Sequence, residues 1–362
     1  MRTLSVLYHS PCMDGFGAAC AVKESLNLGY WRNVHYIPSS YQWLNGMAAE
    51  GTISRIPHMT TTLLLVDICP DEAALDFLIS QGFYLVILDH HNGVRETLSK
   101  GKYNEGDNVV KYILADNYSG ASLVKAIGDN INVILDNVKT PSNDYFEITD
   151  NHGPIQSNFD VGGLIDRERV EKSYLYRLLE TRDIWIKDDP DFKLKADILA
   201  TYVRENDVYK GEIVHNLEEV YPLDKINKIL EEGLVVFNKK WGDAVKLVAA
   251  SYQYTATVKS GHKVTYVVGY CERELGSLFG EVVNTMIDGN TIAVAVMKPE
   301  EGEVTAGLSL RSSGEIPCVQ IAKSLGGGGH DHASGASVPA HYTLDDVVRD
   351  IEKALLEAVK PN

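Results

Sequence analysis

The run Tyr84-Leu85-Val86-Ile87-Leu88 ends abruptly in Asp89-His90-His91. An unbroken apolar stretch of this length, without polar alternation, describes a strand buried on both faces, as in a sheet covered by helices. An acid and two imidazoles at the end of such a strand are costly unless bound or hydrogen-bonded. Two further runs end in the same manner. Ser5-Val6-Leu7-Tyr8 reaches His9 and then Asp14, and Leu63-Leu64-Leu65-Val66 reaches Asp67. Strands that deliver His and Asp to their carboxyl ends outline a ligand crevice in an open parallel sheet. Oxygen and imidazole donors without a thiolate cluster suit Mn2+ or Mg2+ ahead of Zn2+ or Fe2+. The chemistry they suggest is metal-assisted attack of water on a phosphate ester.

Residues 1 to about 130 alternate strands with helices, which implies an α/β fold with a doubly wound parallel sheet. Helices are expected over Gly15–Asn27, after Pro70-Asp71-Glu72 and from near Ser119; Val34–Ile37 and Tyr112–Ala115 read as further strands. Between Gly128 and Gly163 the frequent Asn, Asp, Gly and Pro predict a long loop or irregular insertion. A helix is expected from Asp166 to Asp183, and Leu223–Trp241 reads as a long helix joining two domains. Beyond it, strands at Val245–Tyr252, Val264–Val268, Thr291–Val296 and Ala306–Leu310 alternate with helices near 276–288, 316–325 and 343–358. The expected organisation is a metal-binding domain over 1–222, a linker helix over 223–243 and a smaller α/β domain over 244–362, with a cleft between the domains.

A length of 362 residues favours two cores over one. No apolar run approaches the length of a membrane helix, and Met1-Arg2-Thr3-Leu4 lacks a signal peptide's apolar stretch, so a cytoplasmic protein with no membrane partner is expected. The five cysteines are scattered and form no CxxC pair, which argues against a zinc ribbon or a disulfide framework. The net charge of −16 argues against a protein that tracks long duplexes, because phosphate neutralisation by Lys and Arg supplies most non-specific affinity. A short or small phosphorylated substrate fits better.

In His9-Ser10-Pro11-Cys12-Met13-Asp14-Gly15, closely packed ligands on one strand-to-helix turn can reach two ions, while Gly15 relieves crowding; the same run also reads as an ordinary polar turn. Asp67 also reads as a helix cap. Near the other end, Gly326-Gly327-Gly328-Gly329-His330 can serve as a flexible linker or as a cradle. The cradle is favoured because Gly/Ser linkers seldom carry histidines and then an apolar stretch. Its glycines bring backbone N–H groups close to a phosphate or base, and His330 adds a polar handle. Arg311, in Ser309-Leu310-Arg311-Ser312-Ser313, suits bidentate phosphate contact.

Asp89-His90-His91 early and Gly327-Gly328-Gly329-His330 late, in that order, resemble the DHH phosphoesterase superfamily in the branch that carries the DHH-associated C-terminal domain. The look is that of nanoRNases and RecJ-like exonucleases. The resemblance implies two Mn2+ ions (Mg2+ or another divalent metal being alternatives) bridged by Asp67, with His9 on one ion and Asp14, His90 and Asp183 on the other. It further implies that His91 faces the scissile phosphate, that Asp89 orients a neighbouring histidine, and that Arg311, Gly327, Gly328, Gly329 and His330 hold the terminal nucleotide. One position departs from the family pattern: Cys12 stands where the first motif usually has an Asp. A thiolate there shifts preference toward softer metals; alternatively Cys12 is no ligand and the first ion is held more weakly.

The expected activity is hydrolysis of short single-stranded RNA or DNA from one end to nucleoside monophosphates. The alternatives are hydrolysis of a signalling nucleotide (a cyclic or linear dinucleotide, or 3′-phosphoadenosine 5′-phosphate) and a catalytically silent nucleic-acid-binding scaffold. Manganese-dependent pyrophosphatases share the first domain's motifs but lack the glycine-rich stretch.

Overall fold

The computed structural model describes residues 2–98, 103, 110–139, 146–150, 153–184, 186, 188–206, 214–257, 261, 263–299, 301–314 and 316–357. They form two compact units, Met1–Leu234 and Val235–Asn362. The first contains β1 (Arg2–His9), α1 (Met13–Ser25), β2 (Trp31–Ser39), α2 (Tyr41–Glu50), β3 (Thr60–Val66), α3 (Glu72–Ser80), β4 (Tyr84–Asp89), α4 (Asn92–Leu98), β5 (Val110–Ala115), α5 (Gly120–Ile127) and α6 (Ile131–Asp136). It continues with β6 (Phe146–Asp150), β7 (Gly153–Ser157), α7 (Glu168–Glu171), α8 (Tyr174–Asp183), α9 (Pro190–Glu205), α10 (Leu217–Val220) and most of the first half of α11 (Leu223–Ala249).

The sheet of this unit has the order β2-β1-β3-β4-β5-β7-β6. From β2 to β5 all pairings are parallel. Every residue of β5 is buried, and so are all but the first of β4, which is why these strands read as unbroken apolar runs. The order 2-1-3-4-5 reverses direction between β1 and β3, so a crevice opens at the carboxyl ends of those two strands. His9 closes β1 there and Asp67 follows β3. Turn chemistry fixes the helix starts. Asp71 accepts from the Ala74 N–H at 2.9 Å to cap α3, and Ser119 and Ser122 form a reciprocal capping box at the start of α5.

The stretch expected to be a loop carries more structure than its composition suggests. It holds α6 and the antiparallel hairpin β6–β7, whose β7 pairs antiparallel with β5 and turns the parallel sheet into a mixed one. Within that stretch, 140–145, 151 and 152 lie outside the described residues. The single helix expected over 166–183 is two helices, α7 and α8, because Ser173 caps a new start by accepting from the Tyr176 N–H at 3.4 Å.

The second unit comprises the remainder of α11, then β8 (Tyr252–Thr257), β9 (Lys263–Cys271), α12 (Gly276–Met286), β10 (Thr291–Met297), β11 (Thr305–Ser313), α13 (Cys318–Ser324), β12 (Gly328–His330), β13 (Ala333–Pro339) and α14 (Leu344–Glu357). Its sheet runs β12-β13-β11-β10-β9-β8, parallel only between β9 and β10. Along β11 alternate residues are buried, and Ala306, Leu308 and Leu310 face a core shared with Ile321, Ile351 and Leu355. The strand expected at Val245–Tyr252 is instead the end of α11, followed by β8, and the division between the two compact units falls within α11. No helix among the described residues is long and apolar enough to cross a membrane.

Candidate metal centre

The first unit gathers eight of the expected side chains at the β1/β3 crevice. Asp67 sits at its middle. His90 Nε2 lies 3.1 Å from Asp67 Oδ1, and His9 Nδ1 lies 3.5 Å from Asp67 Oδ2. His90 Nε2 is also 3.3 Å from Asp183 Oδ2 and 4.0 Å from Asp14 Oδ2. Two donor groups result, each with its atoms within 4.8 Å of one another: His9, Cys12 and Asp67, and Asp14, Asp67 and His90. Asp67 belongs to both.

Local backbone explains how the sequence achieves this. Asp67 has φ of +58°, which no other non-glycine residue among those described shares with positive sign, and its N–H donates to the Leu88 carbonyl at 3.0 Å. Left-handed backbone is tolerated by Asp and turns its carboxylate out of the strand direction. Gly120 makes room for it, since a Cβ there would meet Asp67 Cβ at 2.5 Å. Asp14 enters from the first turn of α1, where Ser119 Oγ donates to its Oδ1 at 2.6 Å and the Ala121 N–H donates to the same oxygen at 3.1 Å. Asp89 Oδ1 accepts three hydrogen bonds, from the N–H groups of His90 and His91 at 2.6 and 2.9 Å and from His91 Nδ1 at 2.7 Å. Asp183 is the last residue of α8.

The electrostatics follow from crowding acids into a buried space. Burial, reinforced by Asp183 and Asp67, pushes the Asp14 carboxyl well above the usual range despite the hydrogen bonds from Ser119 and Ala121. Burial also raises Asp183, with Asp67 adding to it and His90 opposing it. At Asp67 burial acts upward too, but hydrogen bonds from His9 and His90 outweigh it and hold the carboxyl below its ordinary value. Burial works against charge on His91, yet the Asp89 carboxylate overcomes it and lifts the imidazole to about 10. The Cys12 thiol is raised by burial and then by Asp67, Asp183 and Asp14.

A divalent cation fits this donor set. Asp14 Oδ2 and Asp183 Oδ2 are buried oxygens without a hydrogen bond, aimed at the space that His90 and Asp67 share. Oxygen and imidazole donors with excess negative charge are what hard and borderline divalent ions require. The residues able to hold such ions are His9, Cys12, Asp14, Asp67, His90 and Asp183.

Sequence reading missed several supporting residues. Tyr41 begins α2 just past the end of β2 and packs its ring edge-on against His9, with centroids 5.3 Å apart. Ser119 and Glu180 were equally invisible as site residues. The signals available were weak: a serine before Gly120-Ala121-Ser122, and a glutamate one helical turn before Asp183.

In the second unit Arg311 lies on β11, its Nη1 donating to the Leu310 carbonyl at 2.9 Å and its stem occupying the space left by Gly280, where a Cβ would meet Arg311 Cγ at 2.3 Å. Gly328, Gly329 and His330 form the edge strand β12 rather than an open loop, paired with Gly335, Ser334 and Ala333. Gly327 is required by contact, because a Cβ would sit 2.1 Å from the Gly335 carbonyl oxygen. A groove of about 630 Å3 borders Gly326, Gly327 and Gly335, with Arg273, Met297 and Glu303 on its rim.

Residues 262–360 match the family model of the DHHA1 domain. The matched stretch takes in most of the second unit, including Arg311 and Gly327-Gly328-Gly329-His330. Among solved structures it is similar to an exopolyphosphatase-related protein from Bacteroides fragilis (16% identity, TM-score 0.49, covering 98% of this chain and 92% of that one). It is also similar to CDC45 from Entamoeba histolytica (8% identity, TM-score 0.48, covering 98% and 95%) and to the pGpG-specific phosphodiesterase PggH from Vibrio cholerae (11%, TM-score 0.32, covering 99% and 98%). No curated protein matches the chain.

Proposed function

We propose that this chain is a binuclear-metal phosphodiesterase that removes nucleoside monophosphates from one end of short single-stranded oligonucleotides. The observation that carries the reading is the position of Asp67, whose two carboxylate oxygens face different imidazoles, Oδ1 toward His90 and Oδ2 toward His9. A carboxylate so placed suits a bridge between two cations. Bound divalent cations supply Lewis acidity to the phosphate oxygens and lower the pKa of coordinated water. Asp67, Asp14, His90 and Asp183 would hold one cation, and His9, Asp67 and Cys12 would hold the other. Asp89 fixes the ring of His91 through Nδ1, so that Nε2 is the nitrogen that donates to a phosphate oxygen or to the leaving oxygen. Arg311, Gly327, Gly328, Gly329 and His330 bind the terminal nucleotide.

The net charge of −16 keeps a second reading in view, a signalling dinucleotide or 3′-phosphoadenosine 5′-phosphate as substrate, since such ligands need few basic contacts. The test is incubation with Mn2+ and end-labelled RNA and DNA of graded length, beside linear and cyclic dinucleotides and 3′-phosphoadenosine 5′-phosphate. A ladder that shortens by single nucleotides supports the oligonucleotide reading. Turnover of the small molecules alone replaces it with the second, and no turnover of any substrate by a metal-loaded protein leaves the silent-scaffold reading.

A further inference from the structure

We propose that Glu180, clamped by Arg167, is a positioning residue that sets the Asp14/Asp183 cation position from behind. The inference rests on the metal-centre reading above. Glu180 is 1% exposed, yet its carboxylate is fully engaged. Arg167 Nη1 donates to Oε1 and Nη2 donates to Oε2, both at 2.5 Å, and Ser122 Oγ donates to Oε1 at 2.6 Å. A bidentate guanidinium pair adds direction as well as energy, and a buried pair of this kind is strongly destabilised by losing one member.

The chain of hydrogen bonds continues to a ligand. Ser122 Oγ accepts from the Ser119 N–H at 2.8 Å, and Ser119 Oγ donates to Asp14 Oδ1 at 2.6 Å. With Oδ1 engaged by Ser119 and by the Ala121 N–H, Asp14 presents Oδ2 to the centre, where it makes no hydrogen bond. Glu180 also lies one turn before Asp183 on α8, and the Ile184 N–H donates to its carbonyl at 3.0 Å. Glu180 therefore bears on two of the ligands that converge on His90. It joins α5, which carries the Asp14 cap, to α8, which carries Asp183. Arg167, 5.1 Å over the Tyr118 ring, anchors the far end of the relay next to the residue that precedes Ser119. Hydrogen-bonded partners behind metal ligands typically alter affinity by about ten- to a hundredfold when removed.

A pin that only holds helices together would lower stability without selecting between cations. The experiment is titration of Mn2+ into metal-free wild-type, Glu180→Gln and Ser122→Ala proteins by calorimetry, with the electron paramagnetic resonance of bound Mn2+ and the melting temperature read in parallel. Glu180→Gln keeps an acceptor for Ser122 and loses the charge that holds Arg167. Ser122→Ala removes the hydroxyl link together with its half of the α5 capping box, so melting temperature falls in either case and Mn2+ affinity is the deciding readout. The expected result is one of two binding events weakened about ten- to a hundredfold, with the other unchanged and the spin-coupled spectrum of paired Mn2+ replaced by that of an isolated ion. Wild-type affinity for both ions in Ser122→Ala and in folded Glu180→Gln, with only the melting temperature lowered, overturns the proposal. Should Glu180→Gln not fold, Ser122→Ala decides alone. A wild-type protein that binds no Mn2+ removes the metal-centre reading itself, which is a different outcome.

Discussion

Gly15→Ala adds one methyl group at the point where the centre is most crowded. The new Cβ would sit 2.3 Å from the His9 carbonyl oxygen, 2.8 Å from His9 Cβ and 2.9 Å from the His9 carbonyl carbon. Carbon–oxygen contacts settle at about 3.3 Å or beyond, so the turn between β1 and α1 must open by roughly 1 Å. Two of the three clashing atoms are backbone, so no rotamer change relieves them. Overpacking of this kind costs about 1–3 kcal/mol, and each kcal/mol lowers the melting temperature of a unit this size by about 2–4 °C. His9 moves with the turn, away from the 3.5 Å approach to Asp67 Oδ2. The expected loss in affinity for the His9-side Mn2+ is about ten- to a hundredfold. Calorimetric titration with Mn2+ and thermal denaturation without metal read the two effects separately. Gly242→Ala is the control: it lies within α11 with nothing within 4 Å of the added Cβ, and it should stabilise by up to about 1 kcal/mol. Unchanged Mn2+ affinity and melting temperature in Gly15→Ala would refute the reasoning.

Asp67→Asn keeps a residue that tolerates left-handed backbone and should abolish turnover and Mn2+ binding while the circular dichroism spectrum stays that of the wild type; near-normal cleavage rejects the binuclear scheme. Cys12→Asp replaces a soft donor by a hard one and should shift the preference from Zn2+ toward Mn2+ in a competition assay, whereas an unchanged preference removes Cys12 from the ligand set. The metal-free protein should lose stability as pH rises from about 5 to 9. Asp14 and Asp183 have raised native pKa values, so their protons are held longer folded than unfolded, and the stability they lend is lost above the ordinary carboxyl range. The His91 contribution is complete below its unfolded value and is lost toward about 10, so all three slopes share a sign. Mn2+ should flatten or reverse the trend, and a metal-free melting temperature that climbs with pH contradicts it. Arg311→Ala should raise KM for an oligonucleotide roughly ten- to hundredfold through loss of a charge-assisted contact, with kcat changed less.

How much could be read from the chain follows from how local each determinant is. Asp89-His90-His91 stood out because the run before it leaves three polar groups at the end of a strand with every later residue buried. The parallel strands β1, β3, β4 and β5 were legible for the same reason, their burial on both faces erasing alternation, whereas β2 at the sheet edge is only partly buried. Val245–Ala249 was misread because Val, Leu and Ala suit either element; the helix wins because buried Ile226, Ile229, Leu230, Phe237, Ala244 and Val248 continue one face. The hairpin β6–β7 was hidden because its place beside β5 is a pairing distant in sequence, and Asp150 and Pro154 look like turn residues. Glu180 looks like any helical glutamate until Ser122, 58 residues away, comes into contact with it.

The φ of +58° at residue 67 also limits what can replace the aspartate without rebuilding the sheet edge. Valine, isoleucine and threonine are effectively barred, because branching at Cβ is strained in that conformation. Asparagine and glycine are the substitutions that spare the framework while stripping the anion. A descendant that kept this architecture but gave up its chemistry would therefore bear one of those two at this spot, a mark that a single line of sequence could reveal.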